Sequence, residues 1–280
     1  MSYIDLYMQD NSLTQGNKEP DLYLFGVPFD STCSYRPGTR FGPNAIREAF
    51  KNIEYNSYYN DKDIKRISIK DLGNTRFTVN AEYMLDMVNK VANESISKGF
   101  TCILGGEHLI TLGSYMATKE SSLVIFDAHY DLRDEFTDTR YSHATFLRRI
   151  VEQRGSDNIL HIGARGYGSD ELEFLENARI ASIKARDIND NIIKDHISVL
   201  DDELYISIDL DAIDPAFAPG VGTPEPLGLN VYQFFNALKL FNEHKVKAFD
   251  IVELSPPYDN GNTAILAAKI MLEIINMNLD

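Results

Sequence analysis

A three-layer α/β/α fold, with a mainly parallel sheet of about eight strands between two layers of helices, is what this sequence predicts. Two observations carry that expectation. Short apolar runs alternate with segments of helical periodicity along most of the 280 residues, the pattern of strands joined by crossover helices. Several of the apolar runs stop abruptly at Asp, His or Glu, and the carboxyl ends of strands are where open α/β sheets bind ligands. No linker, internal repeat or low-complexity tract interrupts the chain, so a single domain over residues 1–280 is expected.

The elements follow in order. Residues 1–20 are polar and read as a loose N-terminal arm or an oligomer contact. Leu22–Phe29 is the first expected strand. Asp30–Pro43, rich in Gly, Pro and small polar residues, is a loop long enough to suggest function. A helix is expected over Asn44–Phe50, exposed loop or edge over Ile53–Asp63, and a strand over Ile64–Ile69. Asn80–Lys98 has helical periodicity and stops at Gly99, a good terminator. The remaining strands are expected at Phe100–Leu104, Ser122–Phe126, Ile159–Ile162, Arg179–Ile183, Leu204–Leu210 and Val246–Glu253. The remaining helices are expected at Leu109–Lys119, His143–Gln153, Ser169–Asn177, Asp187–Leu200 (with Asp187 as its cap), Val231–His244 and Thr263–Met277.

Composition narrows the function. Net charge is −15 and the pI is near 4.8, which argues against a nucleic-acid binder, since that needs a basic face. An acidic surface suits a cationic substrate. Of the two cysteines, Cys33 and Cys102, the second sits in an apolar run and reads as a buried thiol; neither points to a disulfide framework or a zinc knuckle. No uncharged stretch is long enough to span a bilayer. The N-terminus lacks the basic-apolar pattern of a signal peptide. A cytoplasmic protein without a membrane partner is expected.

The most informative stretch is SSLVIFDAHYD, 121–131. Asp127, His129 and Asp131 are spaced by two, so an extended backbone places all three on one face. Buried carboxylates without a counter-charge are costly, and a divalent cation is the simplest counter-charge. Other strand ends offer similar groups: GGEH with His108, DLDAID with Asp209 and Asp211, and Glu253 after KAFDIV. Imidazole and carboxylate without thiolate suit manganese, with iron, cobalt or nickel as further choices. Asp127, Asp131, Asp209 and Asp211 bring four negative charges, which two divalent ions balance. Such a pair, roughly 3.5–4 Å apart, can hold a bridging hydroxide at neutral pH.

GGEH at 105–108, DAHYD at 127–131, SIDLDAIDPAFAPGVGTPEP at 207–226 and VELSPPYD at 252–259 resemble the signature segments of the ureohydrolase family, the arginases and agmatinases. VPFDSTCSYRPGTRFGPNAIR at 27–47 is similar to the N-terminal segment of the agmatinase-like branch. The resemblance implies an arginase-like fold, a homo-oligomer (trimer or hexamer) and two Mn2+ per subunit. His108, Asp127, Asp131 and Asp209 would hold one ion, and Asp127, His129, Asp209 and Asp211 the other. It implies that Glu253 binds the substrate guanidinium, that Asp131 moves the proton of the attacking hydroxide to the leaving amine, and that His143 shuttles protons. Thr223 is a candidate to hydrogen-bond the guanidino group.

The expected substrate is a small guanidino compound. The loop 132–142, LRDEFTDTRYS, lacks the asparagine spacing by which arginases hold an amino-acid head. Agmatine fits better, yielding urea and putrescine, a step of polyamine biosynthesis; Asp134, Glu135 or Asp138 could meet its amine. Arg133 or Arg140 in the pocket would instead favour a guanidino acid such as guanidinobutyrate. A formimino-compound hydrolase and a catalytically silent metal-binding oligomer are the other readings. Three departures from the agmatinase pattern stand out: Ala144 and Leu227 where glycine is usual, and the large Tyr130 inside DAHYD. Ala144 is expected to restrict the backbone beside His143.

Overall fold

The computed structural model describes residues 2–9, 13–14, 19–65, 67–198 and 200–278. In chain order it contains α1 (Tyr3–Tyr7), β1 (Met8–Gln9), β2 (Leu22–Val27), α2 (Gly42–Asn52), β3 (Ile69–Thr75), α3 (Ala81–Lys98), β4 (Thr101–Gly105), α4 (Ile110–Tyr115), β5 (Ser122–Phe126), α5 (Phe146–Arg154), β6 (Ile159–Ala164), α6 (Ser169–Ala178), β7 (Ala181–Lys184), α7 (Asp190–Ile197), β8 (Glu203–Asp209), α8 (Val231–Lys239), β9 (Lys245–Val252) and α9 (Asn262–Met277).

One nine-stranded sheet runs β1-β3-β2-β4-β9-β8-β5-β6-β7. Every pairing is parallel except that of β1 with β3. Side chains alternate along the strands between two cores. Leu24, Leu104, Val124 and Phe126 face one layer with Ile46, Phe50, Ile193, Phe234 and Met271. Phe25, Ile103, Leu123 and Ile125 face the other with Val88, Ile110, Phe146 and Leu175. Strands covered on both faces are the usual state of parallel sheets, because crossover helices lie on each side. The three-layer architecture is as the alternating pattern predicts.

The ninth strand comes from the N-terminal segment. Met8 and Gln9 pair with Thr75 and Asn74. Just before them, Glu94 of α3 accepts hydrogen bonds from Ser2 Oγ and from the first amides of α1. The expected loose arm is therefore corrected for residues 3–9, which a carboxylate at a helix N-terminus ties down. Leu13 is buried and its amide donates to Asp71 Oδ2. Residues 1, 10–12 and 15–18 of that arm lie outside the described residues.

Other expectations shift: the helix expected at Leu109–Lys119 covers only Ile110–Tyr115, and that expected at Val231–His244 only Val231–Lys239. The strand expected at Ile64–Ile69 begins at Ile69 and runs on through Asp71. Asp71 is tolerated inside because Arg47 of α2 meets it with two hydrogen bonds, Nε–Oδ2 at 2.8 Å and Nη2–Oδ1 at 2.9 Å. Removing one member of such a buried pair costs about 3–5 kcal/mol. The helix expected to start at Asp187 starts at Asp190 and is capped by Asn189, whose side chain accepts from the Ile192 amide; Asp187 closes a short 3-10 turn.

The sheet order positions the site. β4, β9, β8 and β5 are neighbours, and they are the four strands followed by His108, Glu253, Asp209–Asp211 and Asp127–Asp131. Register aligns Phe126 with Ile208 and Asp209 with Val252. Residues up to 145 positions apart in sequence thus reach one rim, as where His108 N donates to Glu253 Oε1.

Candidate metal centre and substrate pocket

Backbone strain is concentrated at this rim. Asp131 (φ 51°) and Glu253 (φ 65°) adopt left-handed conformations that cost about 1–3 kcal/mol each and persist only where the surroundings impose them. Gly106 is required: a Cβ there would lie 1.9 Å from the Phe29 carbonyl oxygen. That close approach lets Gly106 N and Glu107 N donate to Val27 O and Phe29 O, locking the GGEH turn onto β2.

His108 Nδ1 lies 3.0 Å from Asp127 Oδ2, 3.2 Å from Asp209 Oδ2 and 3.6 Å from Asp131 Oδ2. His129 Nδ1 lies 3.0 Å from Asp211 Oδ2 and 3.7 Å from Asp127 Oδ1. Ligand atoms of His108, Asp127 and Asp131 form one cluster, and those of Asp127, His129 and Asp211 a second; Asp127 belongs to both. Asp209 completes the arrangement, its Oδ1 accepting from Asp211 N. All six side chains expected to ligate metal are therefore together, the four aspartates almost wholly buried.

The groups at this cluster suit divalent cations. His108 Nδ1 and Asp127 Oδ2 face each other without hydrogen-bond alignment, both buried and without a hydrogen-bonded partner. Hydrogen-bond counting fixes the state of His108. Asp250 accepts from Ser207 (2.6 Å), Tyr205 (2.6 Å) and Thr111 (2.8 Å). Ser207 has one proton, which goes to Asp250. Its oxygen, 2.9 Å from His108 Nε2, must then accept, so Nε2 carries hydrogen and Nδ1 is the nitrogen turned to the cluster, where a bound cation would displace its proton. Burial and the charge of Asp127 push the Asp131 carboxyl well up; burial and the charges of Asp211 and Asp127 do the same at Asp209. Carboxylates that resist ionising side by side bind divalent ions strongly. Burial alone would lower His108, but Asp127 reverses that and pushes it up to about 9.

Beside the cluster opens a cavity of about 340 Å3, lined among others by Asp131, Arg133, His143, Glu171, Thr223, Glu225 and Glu253. Burial, aided by the charge of Glu107, pushes Glu253 up to about 8. His143 is held near 4 by burial and by the neighbouring imidazoles His129 and His108; it is a neutral base at neutral pH. Burial pushes Glu107 up to about 7, against two hydrogen bonds from Thr32. Thr223 Oγ1 donates to Asp211 Oδ2 at 3.2 Å, so its proton is committed to a cluster carboxylate.

The acids expected to meet the substrate amine are corrected. Asp134, Glu135 and Asp138 are exposed and do not line the cavity; Asp134 is engaged by Arg149 and Arg148 of α5 and by Arg140. Arg140 turns away to Glu152, whereas Arg133 does line the cavity, 3.5 Å from Glu171. The cavity carboxylate that sequence reading missed is Glu225 of the TPEP segment. Its side chain has no hydrogen-bonded or ion-paired partner among the described residues. Arg165 was missed as well. Its guanidinium donates to the carbonyls of Gly163, Asp211, Ala212, Glu225 and Pro226, fastening the segments after β6 and β8 together. No motif in the sequence hints at it, because all its partners are backbone.

The three departures are accommodated differently. Ala144 sits in a 3-10 turn without positive φ, so the expected restriction is absent. Tyr130 is fully buried, with its ring on His161 and its hydroxyl accepting from Ser182. Leu227 has φ 65° and is 87% exposed: the backbone there keeps the conformation glycine favours, and leucine bears the strain.

Residues 20–276 match the Arginase family. This chain belongs to that family. An agmatinase of Pyrococcus horikoshii is 36% identical over 265 residues, 93% of this chain and 93% of that protein. The N(1)-aminopropylagmatine ureohydrolase of Thermococcus kodakarensis is 36% identical over 253 residues, 89% of this chain and 87% of that protein. Among solved structures, the agmatine ureohydrolase of Thermoplasma volcanium matches with a TM-score of 0.87 at 38% identity, covering 93% of this chain and 90% of that one. The chain is accordingly an enzyme, an agmatinase-like ureohydrolase, and its chemistry is hydrolysis of guanidino compounds.

Proposed function

We propose that this enzyme hydrolyses agmatine, or an agmatine bearing a further cationic tail, to urea and an amine, putrescine in the case of agmatine. The observation that carries the substrate is a charge count. Asp127, Asp131, Asp209 and Asp211 are matched by two divalent ions, for which Mn2+ is our choice from the hard nitrogen and oxygen donors. Glu171 is matched by Arg133. Among the described residues, two cavity carboxylates then remain without a cationic partner, Glu253 and Glu225. Agmatine carries two cations, a guanidinium and an ammonium, one for each.

His108, Asp127, Asp131 and Asp209 would hold one ion and Asp127, His129, Asp209 and Asp211 the other. Bound there, the pair would lower the pKa of water toward 7 and supply Lewis acidity at the reacting carbon. The protein's own groups do the rest. Glu253, fixed by the His108 amide at 2.7 Å, orients the planar guanidinium. Asp131 takes the proton released by the attacking water and delivers it to the leaving amine. His143, neutral and at the cavity wall, exchanges that proton with solvent. Protonating the amine is essential, since an amide-type anion is a very poor leaving group.

Arg133 favours a second reading. It lines the cavity and is only loosely paired, so a guanidino acid could place its carboxylate there. Urea release by the Mn2+-loaded protein, measured across agmatine, guanidinobutyrate and arginine with metal content on the same sample, decides. Agmatine should give the highest kcat/KM; a preference for guanidinobutyrate would move the assignment to the second reading. Glu225→Gln should raise KM for agmatine about tenfold, the loss of one charged contact of roughly 1.4 kcal/mol, and leave guanidinobutyrate unaffected or improved. No helix among the described residues is long and apolar enough to cross a membrane. A cytoplasmic homo-oligomer, trimeric or hexameric, completes the reading, and sedimentation of the loaded protein tests its assembly.

A further inference from the structure

Thr32 and Glu107 lie outside the metal cluster, yet their hydrogen bonds converge on His143. Glu107 is almost fully buried. Its Oε2 accepts from Thr32 N at 2.9 Å, and its Oε1 accepts from Thr32 Oγ1 at 2.5 Å. A backbone amide can only donate, so Oε2 is an obligate acceptor. With the Glu107 carboxyl ionised, the one proton of the Thr32 hydroxyl goes to Oε1. Both lone pairs of Thr32 Oγ1 are then left to accept, and both face the same residue: His143 N at 3.0 Å and His143 Nδ1 at 3.2 Å. The other neighbour of Nδ1 is Ser142 Oγ, farther away at 3.4 Å. On the opposite side of the ring, Nε2 has Ser34 Oγ at 3.3 Å, and Ser34 lines the cavity.

We propose that Glu107 and Thr32 are positioning residues that hold His143 as its Nδ1–H tautomer, with the Nε2 lone pair presented to the substrate cavity. Nδ1–H donates to Thr32 Oγ1 because that oxygen has no proton left to give. Nε2 is then a bare acceptor with Ser34 as its resting donor. A neutral imidazole held this way can receive a proton only at Nε2, the ring nitrogen on the side of Ser34 and the cavity. The hydrogen-bond assignment stands independently of any substrate; its catalytic consequence rests on the hydrolysis proposed above.

An isosteric substitution tests this directly. In Glu107→Gln the carboxamide keeps its oxygen toward the Thr32 amide, which places its NH2 against Thr32 Oγ1. The threonine proton is released toward His143 Nδ1, and the tautomer should flip to Nε2–H. Ring nitrogens are read by NMR on protein labelled with 15N-histidine, loaded with diamagnetic Zn2+ at pH 8.5, with the His143 signals assigned by their loss in His143→Gln. The wild type should show a protonated Nδ1 and a pyridine-type Nε2. Glu107→Gln should reverse the two, Thr32→Val should lose the Nδ1–H preference, and Thr32→Ser should retain it. With Mn2+, Thr32→Val should lose about 10–100-fold in kcat, part of what a positioned proton-transfer group contributes, with KM and metal content unchanged, and Thr32→Ser should restore the rate. A wild-type Nε2–H, or an unchanged tautomer in Glu107→Gln, overturns the proposal. If the tautomers behave as stated but no guanidino compound yields urea, the hydrogen-bond assignment holds and the hydrolysis reading falls.

Discussion

Two histidines at the same rim are held by the same device and, in the function proposed above, put to different uses. His108 is fixed through Ser207 to Asp250, residues of β8 and β9 inside the sheet. His143 faces Thr32 and, beyond it, Glu107, residues of two loops. In each case a carboxylate takes the proton of a hydroxyl, and the hydroxyl oxygen is left to accept from one ring nitrogen. The free nitrogen differs: Nδ1 of His108 looks into the aspartate cluster, Nε2 of His143 into the substrate cavity. The contrast teaches that a rigid strand-borne pair suits a metal ligand, which must not move, whereas a loop-borne pair suits a group that handles protons beside an exchanging substrate.

The sharpest way to break this contrast is to remove each ring. His108→Asn should lose bound Mn2+ and all measurable urea release together. His143→Gln should keep both ions and lose turnover by about 10²–10⁴-fold. Equal metal loss in the two variants would dissolve the distinction. Asp250→Asn should weaken Mn2+ binding about 10–100-fold, the usual effect of disturbing the group behind a ligating histidine; calorimetric titration of the metal-free protein measures it. That variant should leave KM for substrate unchanged once metal is saturating.

A pH experiment on metal-free protein sharpens the same point, because the two rings shift in opposite directions. His108 is raised from 6.5 to about 9, so its stabilising contribution is full below pH 6.5 and is lost as pH rises through 9. His143 is lowered from 6.5 to about 4. The unfolded chain therefore takes up that proton first, and stability declines as pH falls from 6.5 toward 4. Denaturant midpoints across pH should lose part of their alkaline slope in His108→Asn, the remainder resting on the raised His129, and part of their acid slope in His143→Gln, the remainder resting on the lowered His161. A smaller effect belongs to Leu227, outside both networks. Leu227→Gly should stabilise by about 0.5–1 kcal/mol, the left-handed penalty less the entropy of glycine, with kcat unaltered.

The two networks also mark what was legible in the sequence. His108, Asp127, His129, Asp131, Asp209, Asp211 and Glu253 could be picked out because acids and imidazoles at the ends of apolar runs are chemically out of place, and the sheet order brings those ends together. The layers followed from alternation. Thr32, Ser207 and Asp250 carried no such signal: hydroxyls are common in loops and strands, and Asp250 lies inside an apolar strand, where only three converging hydroxyls explain it. Strand β3 was displaced for a similar reason, since Asp71 reads as a strand breaker until Arg47 is seen against it. The acids of loop 132–142 misled because charge alone does not tell which way a loop faces, and α5 supplies the arginines that turn Asp134 outward.

Arg165, in the segment that follows β6, gathers one carbonyl of β6 itself and four from the segment that follows β8. Those segments carry, respectively, the floor beneath His129 and the wall that bears Asp211, Thr223 and Glu225. Exchanging residues 223–228 for a relative's equivalent in order to alter substrate preference would therefore disturb the seat of Asp211 and His129 as well. Redesign of this enzyme's selectivity has to treat the two segments as one transplantable unit, with the arginine included in the graft.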